Sequence, residues 1–411
     1  MGEDAHGRLA ALQQDPYPAY ARARKEPGLV FSPELGGWLV ARQADVREVL
    51  CRPDDFSSAN ALRPDVMPAP EALAELGRGP GGGPVVVTSD GAAHLRLRAP
   101  LTRGLSASRV AAAVPYIAER ATALVDAFAG DGRAELMRQY AKRLPGEVIG
   151  HLLGLDPADV PAAVQGSYRA EELIFRPLPV QEQIHAARDV VALQLLLLDY
   201  AQERRQDPGD DLCSEVVRSI APGTAALTDE QRGEVVSNLQ NLLIAGHLTT
   251  TALIGTTLLH LLRHRAQWEL LCADPSLIPA AIEEAARYDS AVQGFRRVTT
   301  RPLTLAGVEL AAGESVFVAY GSANRDEAAF DRPEAFDISR LTIRHLAFGQ
   351  GVHGCPGSQL AREQLRITLE TLTRRLPGLR FAASGEEPVE MLPTMIHRSP
   401  RALPVVWETI G

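Results

Sequence analysis

Lysine is nearly absent from this chain, and blocks of like charge are missing. Only two of its 42 basic residues, Lys25 and Lys142, are lysines. This bias towards arginine indicates a source genome rich in G and C. The 51 acidic residues leave a net charge of -9, and no basic stripe interrupts the acidic balance. The composition therefore argues against a nucleic acid or an anionic membrane as a partner.

Cysteines are few and are not arranged in pairs. Cys51, Cys213, Cys272 and Cys355 lie far apart, and no Cys-x-x-Cys motif occurs. This spacing indicates neither a disulfide framework nor a zinc ribbon. The first sixteen residues are polar and lack the apolar stretch of a signal peptide. We therefore expect a reduced compartment and a cytoplasmic protein.

Acidic residues, lysine and arginine are all absent from residues 239–262, a stretch long enough to span a bilayer. The stretch also contains Asn241, His247, His260 and five threonines, which are costly to place in lipid. The sequence therefore predicts a long helix buried in a soluble protein, with no membrane partner.

Hydrophobic periodicity predicts a mainly α fold with a minor antiparallel β region. Apolar spacing of three and four residues indicates helices, including those over 114–128, 140–153, 184–200, 235–262 and 358–376. Thr228 and Gln231 form a capping-box pattern that starts the longest helix, which runs to Arg263. Strands are expected over 298–304, 308–310 and 315–319. No repeat or linker divides the chain, so we expect one domain over residues 1–411.

Residues 57–88 are predicted to be a loop, with the breaker cluster at 79–84. Two interpretations remain open. The segment is either a disordered surface loop or a mobile lid beside a site, because long loops in compact domains are often functional.

The most informative segment is residues 348–357, Phe-Gly-Gln-Gly-Val-His-Gly-Cys-Pro-Gly. Its four glycines permit positive φ and a close backbone approach to a flat or bulky group. Cys355 precedes a predicted helix, where free N–H groups and the helix dipole stabilise a thiolate. A thiolate is the form that binds iron strongly. The alternative, a small buried cysteine in a tight turn, is disfavoured because the spacing Phe-Gly-x-Gly-x-His-x-Cys-x-Gly is so specific.

This spacing resembles that of the cytochrome P450 family, the heme-thiolate monooxygenases. The resemblance implies the P450 fold, a single heme domain with a long central helix. It makes Cys355 the proximal ligand of heme b iron and places His353 by a heme propionate. Phe348, Gly349 and Gly357 complete the same loop. Thiolate ligation pushes electron density onto iron and favours O–O cleavage.

Three further motifs fit the family in the right order. Glu284 and Arg287 match its Glu-x-x-Arg, a structural ion pair at i and i+3 that locks to the segment 336–340. His94 and Arg98 match His-x-x-x-Arg and are able to donate to one propionate. Arg297 is expected to be the third anchor, because arginine suits carboxylates; its neighbour Arg296 leaves that assignment uncertain by one position.

The distal site is expected on the longest helix at Ala245, Gly246 and Thr249. Small residues followed by a threonine favour local unwinding of a helix, and the family uses that kink to accommodate dioxygen near the threonine. Leu248 departs from the family pattern, which has Asp or Glu there as a proton relay. Protons would then come through water, through His247 or through the substrate, and we favour the substrate-assisted route.

Family topology suggests Leu248, Val292, Met395 and Ile396 as substrate-lining residues, with residues 57–88 and 165–183 as the lid. Aliphatic walls indicate an apolar organic substrate, free or bound to a carrier protein.

The resemblance implies a monomeric, cytoplasmic monooxygenase that hydroxylates or epoxidises a hydrophobic molecule in secondary metabolism. Two alternatives are phenolic coupling, nitration or peroxide-driven oxidation, and a catalytically silent partner subunit. No fused reductase segment is recognisable. Electrons are therefore expected from NAD(P)H through a ferredoxin reductase and a ferredoxin, which would dock near Cys355 against Arg344, Arg362 and Arg366.

Overall fold

The computed structural model describes residues 3–64, 67–341, 344–382 and 388–408. The chain forms two compact units. The first contains residues 1–56, 114–144 and 249–411, and the second contains 57–113 and 145–248. The prediction of one domain over 1–411 stays a prediction.

Helices dominate the described chain. In chain order they are α1 Glu3–Gln14, α2 Tyr17–Lys25, α3 Gln43–Cys51, α4 Pro70–Leu76, α5 Gly91–Gly104, α6 Ala107–Asp126, α7 Arg143–Leu153, α8 Val160–Phe175, α9 Val180–Gln206, α10 Leu212–Ile220, α11 Asp229–Arg263, α12 Arg265–Ala273, α13 Ile278–Tyr288, α14 Tyr320–Ala323 and α15 Ser358–Arg375. A short π-helix, Met137–Ala141, precedes α7. The mainly α prediction is confirmed.

The β structure is minor. Its strands are β1 Val30–Ser32, β2 Gly37–Val40, β3 Phe56–Ser57, β4 Arg133–Glu135, β5 Gly294–Thr299, β6 Leu303–Leu305, β7 Val308–Leu310, β8 Ser315–Ala319, β9 Arg380–Phe381 and β10 Pro404–Val406. They form a five-stranded sheet in the order β1-β2-β8-β5-β3, a three-stranded sheet β4-β10-β9 and the pair β6-β7.

The antiparallel pairing predicted for the strands after residue 287 is confirmed, because β5 pairs with β8 and β6 with β7 in that direction. Strand β2 adds a parallel pair with β8, so the largest sheet is mixed. The expected strand over 298–304 is split, because β5 starts earlier, at Gly294, and ends at Thr299 before β6. The sequence does not predict the first half of β5 because Arg296 and Arg297 lie in it, and charged residues seldom occur inside a buried strand. Both are nevertheless buried.

Helix α11 begins as its sequence predicts. The Gln231 N–H donates to Thr228 Oγ1 at 3.2 Å, and the Thr228 N–H donates to Gln231 Oε1 at 3.1 Å, which confirms the capping box. By length and composition α11 would be able to cross a membrane, but 78% of its most apolar window is buried inside the protein. That burial is typical of the core helix of a soluble protein.

Each unit has its own hydrophobic core. In the first, residues of α3, β2, β5 to β8 and α14 pack around Val40, Val316 and Val318. In the second, α5, α7, α8, α9, α10 and the first part of α11 bury a leucine-rich cluster that includes Leu197 and Leu243. Helix α11 contributes to both units, with the boundary between Leu248 and Thr249.

The segment 57–88 is more ordered than predicted. It contains α4, which packs against α9. Its glycine cluster lies on α11, where Ser237 Oγ accepts hydrogen bonds of 3.0 Å from the N–H groups of Gly82 and Gly83. A Cβ on Gly83 would overlap the backbone of Glu234. The glycines therefore permit close packing, which corrects the disordered-loop interpretation for the described part; Asp65 and Val66 lie outside the described residues.

A largely buried ion cluster joins α13 to the segment before residues 348–357, which we call the cysteine loop. Arg287 Nε and Nη2 donate to the two carboxylate oxygens of Glu284 at 2.7 and 2.8 Å. Both side chains are 0% exposed. Three backbone carbonyls, those of Asn324, Pro333 and Ala335, accept the remaining Arg287 donors.

The carboxylate of Glu284 likewise has hydrogen-bond partners for its full acceptor capacity. Arg340 Nε and the backbone N–H of Asp337 also donate to its carboxylate, at 3.0 and 2.9 Å. Four donors thus fill the acceptor capacity of one carboxylate. The ion pair holds the segment 336–340 against α13.

We expect Glu284→Gln to lower the free energy of unfolding by about 3–5 kcal/mol, because it leaves the buried Arg287 guanidinium and the partly buried Arg340 guanidinium without a counter-charge. Urea denaturation of the purified protein measures the loss. The matched control is Glu269→Gln, which breaks the exposed pair Arg265–Glu269 and is expected to cost less than about 1 kcal/mol. Equal losses in the two variants would contradict the assignment.

Candidate functional site

The cysteine loop ends immediately before α15. Its turns are closed by backbone hydrogen bonds, in which the N–H of Cys355 donates to the Phe348 carbonyl at 2.8 Å and the N–H of Gly354 donates to Gly351 at 3.0 Å. Gly357 is the N-cap residue of α15, and Cys355 is exposed. The thiol thus lies outside the core, close to the positive end of a helix dipole.

Gly351 fixes the loop against α3. Its φ of +71° belongs to the left-handed region, and a Cβ at this position would overlap the carbonyl oxygen of Leu50. The adjacent turn, Gly351–His353, is a 3-10 helix. Glycine is therefore required at 351 both by the backbone angle and by the close approach of α3.

A second set of contacts holds the loop from α13 and α15. Arg362 Nε and Nη2 donate to Glu283 at 2.5 and 2.9 Å, and the guanidinium lies 4.4 Å from the Phe348 ring centre. His345 Nε2 lies 3.0 Å from the same carboxylate. The hydrogen bond to Glu283 raises the pKa of Arg362, with a further contribution from Cys355. A permanent positive charge beside Cys355 favours its thiolate.

Arg297 is a buried guanidinium on β5. The register pairs Arg297 with Val316 and Arg296 with Phe317, so the two arginines project from opposite faces of the sheet. Arg297 interacts with the hydroxyl of Tyr320. Burial raises the pKa of Tyr320, and the interaction with Arg297 partly offsets that rise. Its Nη1 donates to the Arg296 carbonyl at 2.7 Å. Within the described residues, no carboxylate pairs with Arg297.

His94 and Arg98 lie in the second unit, one turn apart on α5. The His94 side chain is buried. Burial lowers its pKa, and the charge of Arg98 lowers it further. The imidazole is therefore held neutral near pH 7, leaving Arg98 as the cation of the pair.

Helix α11 runs without interruption through the predicted distal site, so the expected local unwinding is not seen. Gly246 has another role, because a Cβ there would lie 2.5 Å from Ile149 Cγ1 of α7. Ala245 is exposed and Thr249 is partly exposed, whereas His247 and Leu248 between them are buried. Ala245 and Thr249, at i and i+4, thus share the open face of the helix.

The structure brings Val292 together with the C-terminal turn. Val292 forms an isolated β-bridge with His397, and the N–H of Gln293 donates to the Ile396 carbonyl at 2.8 Å. Met395 and Ile396 are buried, at 2% and 0% exposure. These two side chains are therefore packed in the interior, while Val292 keeps part of its surface.

Asp289 anchors this turn. Arg398 Nε donates to Asp289 Oδ1 at 2.5 Å, and the Tyr17 hydroxyl donates to the same oxygen at 2.8 Å. His260 Nε2 lies 2.7 Å from Oδ2. Burial by itself would raise the pKa of Asp289, but Arg398 and His260 outweigh it and hold that pKa well below its usual range.

Comparison with known proteins decides the family. A cytochrome P450 family model matches residues 273–398. The cytochrome P450 monooxygenase PikC of Streptomyces venezuelae is 36% identical over 411 residues, covering 97% of this chain and 94% of PikC. Nocardicin C N-oxygenase of Nocardia uniformis subsp. tsuyamanensis is 35% identical over 405 residues, 96% of each chain. The chain belongs to the cytochrome P450 family.

Structural comparison gives the same result. The solved structure of cytochrome P450 CREJ in complex with (4-ethylphenyl) dihydrogen phosphate has a TM-score of 0.89 at 31% identity, covering 96% of this chain and 98% of CREJ. The protein is accordingly an oxidoreductase with the P450 fold. The family uses heme iron and external electron donors.

The residues present fit a P450 heme. Cys355 offers an exposed thiol in front of a helix, and Arg297 is a buried cation without a carboxylate partner among the described residues. The first suits iron, and the second suits an anionic propionate. The family resemblance suggested both positions, and their roles stay predictions; the sheet register places Arg297 and Arg296 on opposite faces.

The docking surface expected for a redox partner near Cys355 stays a prediction, and two of its arginines have carboxylate partners within the chain. Arg362 pairs with Glu283, and Arg366 pairs with Glu363 and Glu370 on its own helix. Both guanidinium groups stay charged, but each is held by a carboxylate of this chain. Sequence inspection missed these pairs because Glu283 lies far from Arg362 in sequence; only the i+3 and i+4 spacing around Arg366 gave a signal.

Glu283 has a pKa that predicts acid sensitivity of the cysteine loop. Burial would raise this pKa, but hydrogen bonds from Arg362 and His345 lower it to about 2, from an ordinary value of 4.5. Because the folded pKa is depressed, the stabilisation is complete above about pH 5 and is lost as the pH falls towards about 2.

We therefore expect Glu283→Gln to flatten the decrease in stability between about pH 5 and pH 2.5 relative to the wild type. Urea midpoints measured at several pH values across this range check the prediction. An unchanged acid dependence in the variant would show that the Glu283 pairs contribute nothing to it.

Proposed function

We propose that this P450 inserts one oxygen atom from O2 into a hydrophobic small molecule, by hydroxylation or epoxidation, in secondary-metabolite biosynthesis. The observation that carries the proposal is the cysteine loop. It presents the Cys355 thiol outside the core, ahead of α15 and beside the Arg362 cation. That environment favours a thiolate over a thiol.

The resemblance to the family suggests which residues would hold heme b. The Cys355 thiolate would hold its iron, and Phe348, Gly349, His353 and Gly357 belong to the loop around that ligand. His94, Arg98 and Arg297 would hold the propionates, since arginine donates to carboxylates in a planar fork. Bound there, heme supplies the redox chemistry of oxygen activation.

The open face of α11 would be the distal side. Ala245 leaves space because its side chain is a single methyl group, and Gly246 keeps the helix close to α7. Thr249 offers a hydroxyl that holds a proton for dioxygen. Leu248 is 7% exposed; it excludes water and carries no titratable proton. The His247 ring contacts Ser167 of α8 rather than this face, so we favour proton delivery through water or a group on the substrate over the His247 route.

The substrate would be an apolar molecule, because Val292, the predicted lining residue that keeps exposed surface, is aliphatic. Leu248, Met395 and Ile396 are buried and would reach a substrate only after a local rearrangement. The names of the relatives describe different reactions at similar identity, so similarity alone does not choose a substrate. A carrier-bound substrate remains an outcome to be tested. We assign electron supply to NAD(P)H through a ferredoxin and its reductase, and we place the enzyme in the cytoplasm as a monomer.

A second candidate function is heme-thiolate chemistry without oxygen insertion, such as phenolic coupling, nitration or peroxide-driven oxidation. Leu248 favours it, because those reactions require fewer delivered protons. A catalytically silent subunit is disfavoured by the presence of Cys355, Arg98 and Thr249.

Turnover under 18O2 tests the main proposal. We expect one labelled oxygen atom in the product, after the substrate class has been found by optical titration of the ferric protein. An unlabelled oxidised product would favour the second candidate instead.

We expect Cys355→Ser to abolish the thiolate-type absorption of the ferrous–CO complex, because serine is a poor ligand for heme iron. Cys51→Ser is the matched control, since Cys51 is the other exposed cysteine, and it is expected to keep the wild-type spectrum. If Cys355→Ser kept that spectrum, another residue would have to be the ligand.

Leu248→Glu tests the proton route. If the substrate supplies the relay, the added carboxylate is expected to change the ratio of product to reductant by less than about twofold. Leu248→Gln is the uncharged control of similar shape. A large gain in coupling for Glu alone, with unchanged substrate affinity, would contradict substrate-assisted relay.

A further inference from the structure

His247 lies within the distal segment of α11, but its ring is directed towards α8. Its side chain is 0% exposed. His247 Nε2 lies 2.9 Å from Oγ of Ser167, which is also 0% exposed. The open face of α11 belongs instead to Ala245 and Thr249. The histidine therefore joins two helices of the second unit rather than facing the proposed distal site.

The hydrogen-bond network determines which nitrogen carries the proton. Ser167 Oγ lies 2.7 Å from the carbonyl of Val164 and donates its single proton there. The hydroxyl can then only accept from His247. In the neutral ring, Nε2 is therefore the protonated nitrogen and Nδ1 is the acceptor.

Two packing contacts fix the same helical turn. The His247 ring lies 4.9 Å from the Tyr168 ring, tilted by 51°. One residue earlier, Gly246 lies flush against Ile149 of α7. The turn that precedes Thr249 is thus held by α7 on one side and by α8 on another. The contact to Ser167 is directional, because a hydrogen bond depends on angle as well as on distance.

We propose that His247 is a positioning residue that couples α8 to the dioxygen-binding face of α11. Residues 165–183, which include the second half of α8, were expected to form part of the lid. The His247 Nε2–H donor makes the placement of that lid helix depend on the turn that carries Thr249. This role rests on the proposed monooxygenase function and explains why a polar ring occupies a fully buried position.

Two substitutions of His247 distinguish the effect of the Nε2–H donor from the effect of the ring as a whole. Gln places an amide N–H donor near the position of Nε2, whereas Asn places its donor near Nδ1, too far from Ser167. We expect His247→Gln to preserve the tether and His247→Asn to break it. Ser167→Ala removes the acceptor from the other helix and is a second way to break the same contact.

The first measurement is hydrogen exchange of the α8 amides in the substrate-free holoenzyme. Loss of one buried hydrogen bond is expected to accelerate exchange about 2- to 12-fold in His247→Asn and in Ser167→Ala. His247→Gln is expected to stay near the wild type. The double variant His247→Asn/Ser167→Ala is expected to add little to either single one, because both remove the same contact.

The second measurement is the ratio of product formed to reductant consumed. We expect this ratio to fall at least about threefold in His247→Asn and Ser167→Ala and to be rescued in His247→Gln, with the ferrous–CO spectrum unchanged. Faster exchange with unchanged coupling would overturn the positioning role and leave a purely structural contact. Equal exchange in Asn and Gln variants would overturn the tether itself.

These outcomes are distinct from failure of the proposed function. If the wild-type enzyme gave no labelled product, the monooxygenase assignment would fail. The coupling between α8 and the dioxygen-binding face would fail with it, while the exchange data would still test the His247–Ser167 contact.

Discussion

The buried carboxylate of Glu284 is the constraint on which the first unit depends. It neutralises Arg287 and Arg340 at once, and all five donors of Arg287 are occupied by this carboxylate and three backbone carbonyls. Removing one member leaves charge in a low-dielectric interior, which costs far more than a surface pair contributes. The segment approaching the cysteine loop therefore has one well-defined path.

Adjacent glutamates of α13 serve different segments. Glu284 holds residues 336–340, whereas Glu283 holds His345 and Arg362 on the two sides of the cysteine loop. Because α13 packs against α15, the loop is fixed from both ends by one helix. Glu283 thereby holds the Arg362 guanidinium close to the Phe348 ring, where it also interacts electrostatically with Cys355.

The sequence predicted features that depend on local spacing and missed those that depend on long-range packing. Short-range patterns depend on residues close together in the sequence. They include the capping box at Thr228, the ion pair at Glu284 and the cysteine loop. The predicted bounds of β5 are wrong because its two consecutive arginines are untypical of a buried strand. Their burial depends on pairing with β8, which the sequence does not show. The segment 57–88 was misjudged because its glycines indicate flexibility in isolation but permit close packing once α11 is present.

The same distinction explains the longest helix. From the sequence, Ala245, Gly246 and Thr249 suggest unwinding, since small residues weaken a helix. In the structure each small residue has its own packing role. Gly246 has no Cβ and so leaves room for Ile149, and Ala245 lies on the exposed face of the helix. His247 and Leu248 fill the buried face with a directional contact and an apolar side chain. Helix α11 thus remains intact because neighbouring helices, rather than its own propensity, hold the turn before Thr249.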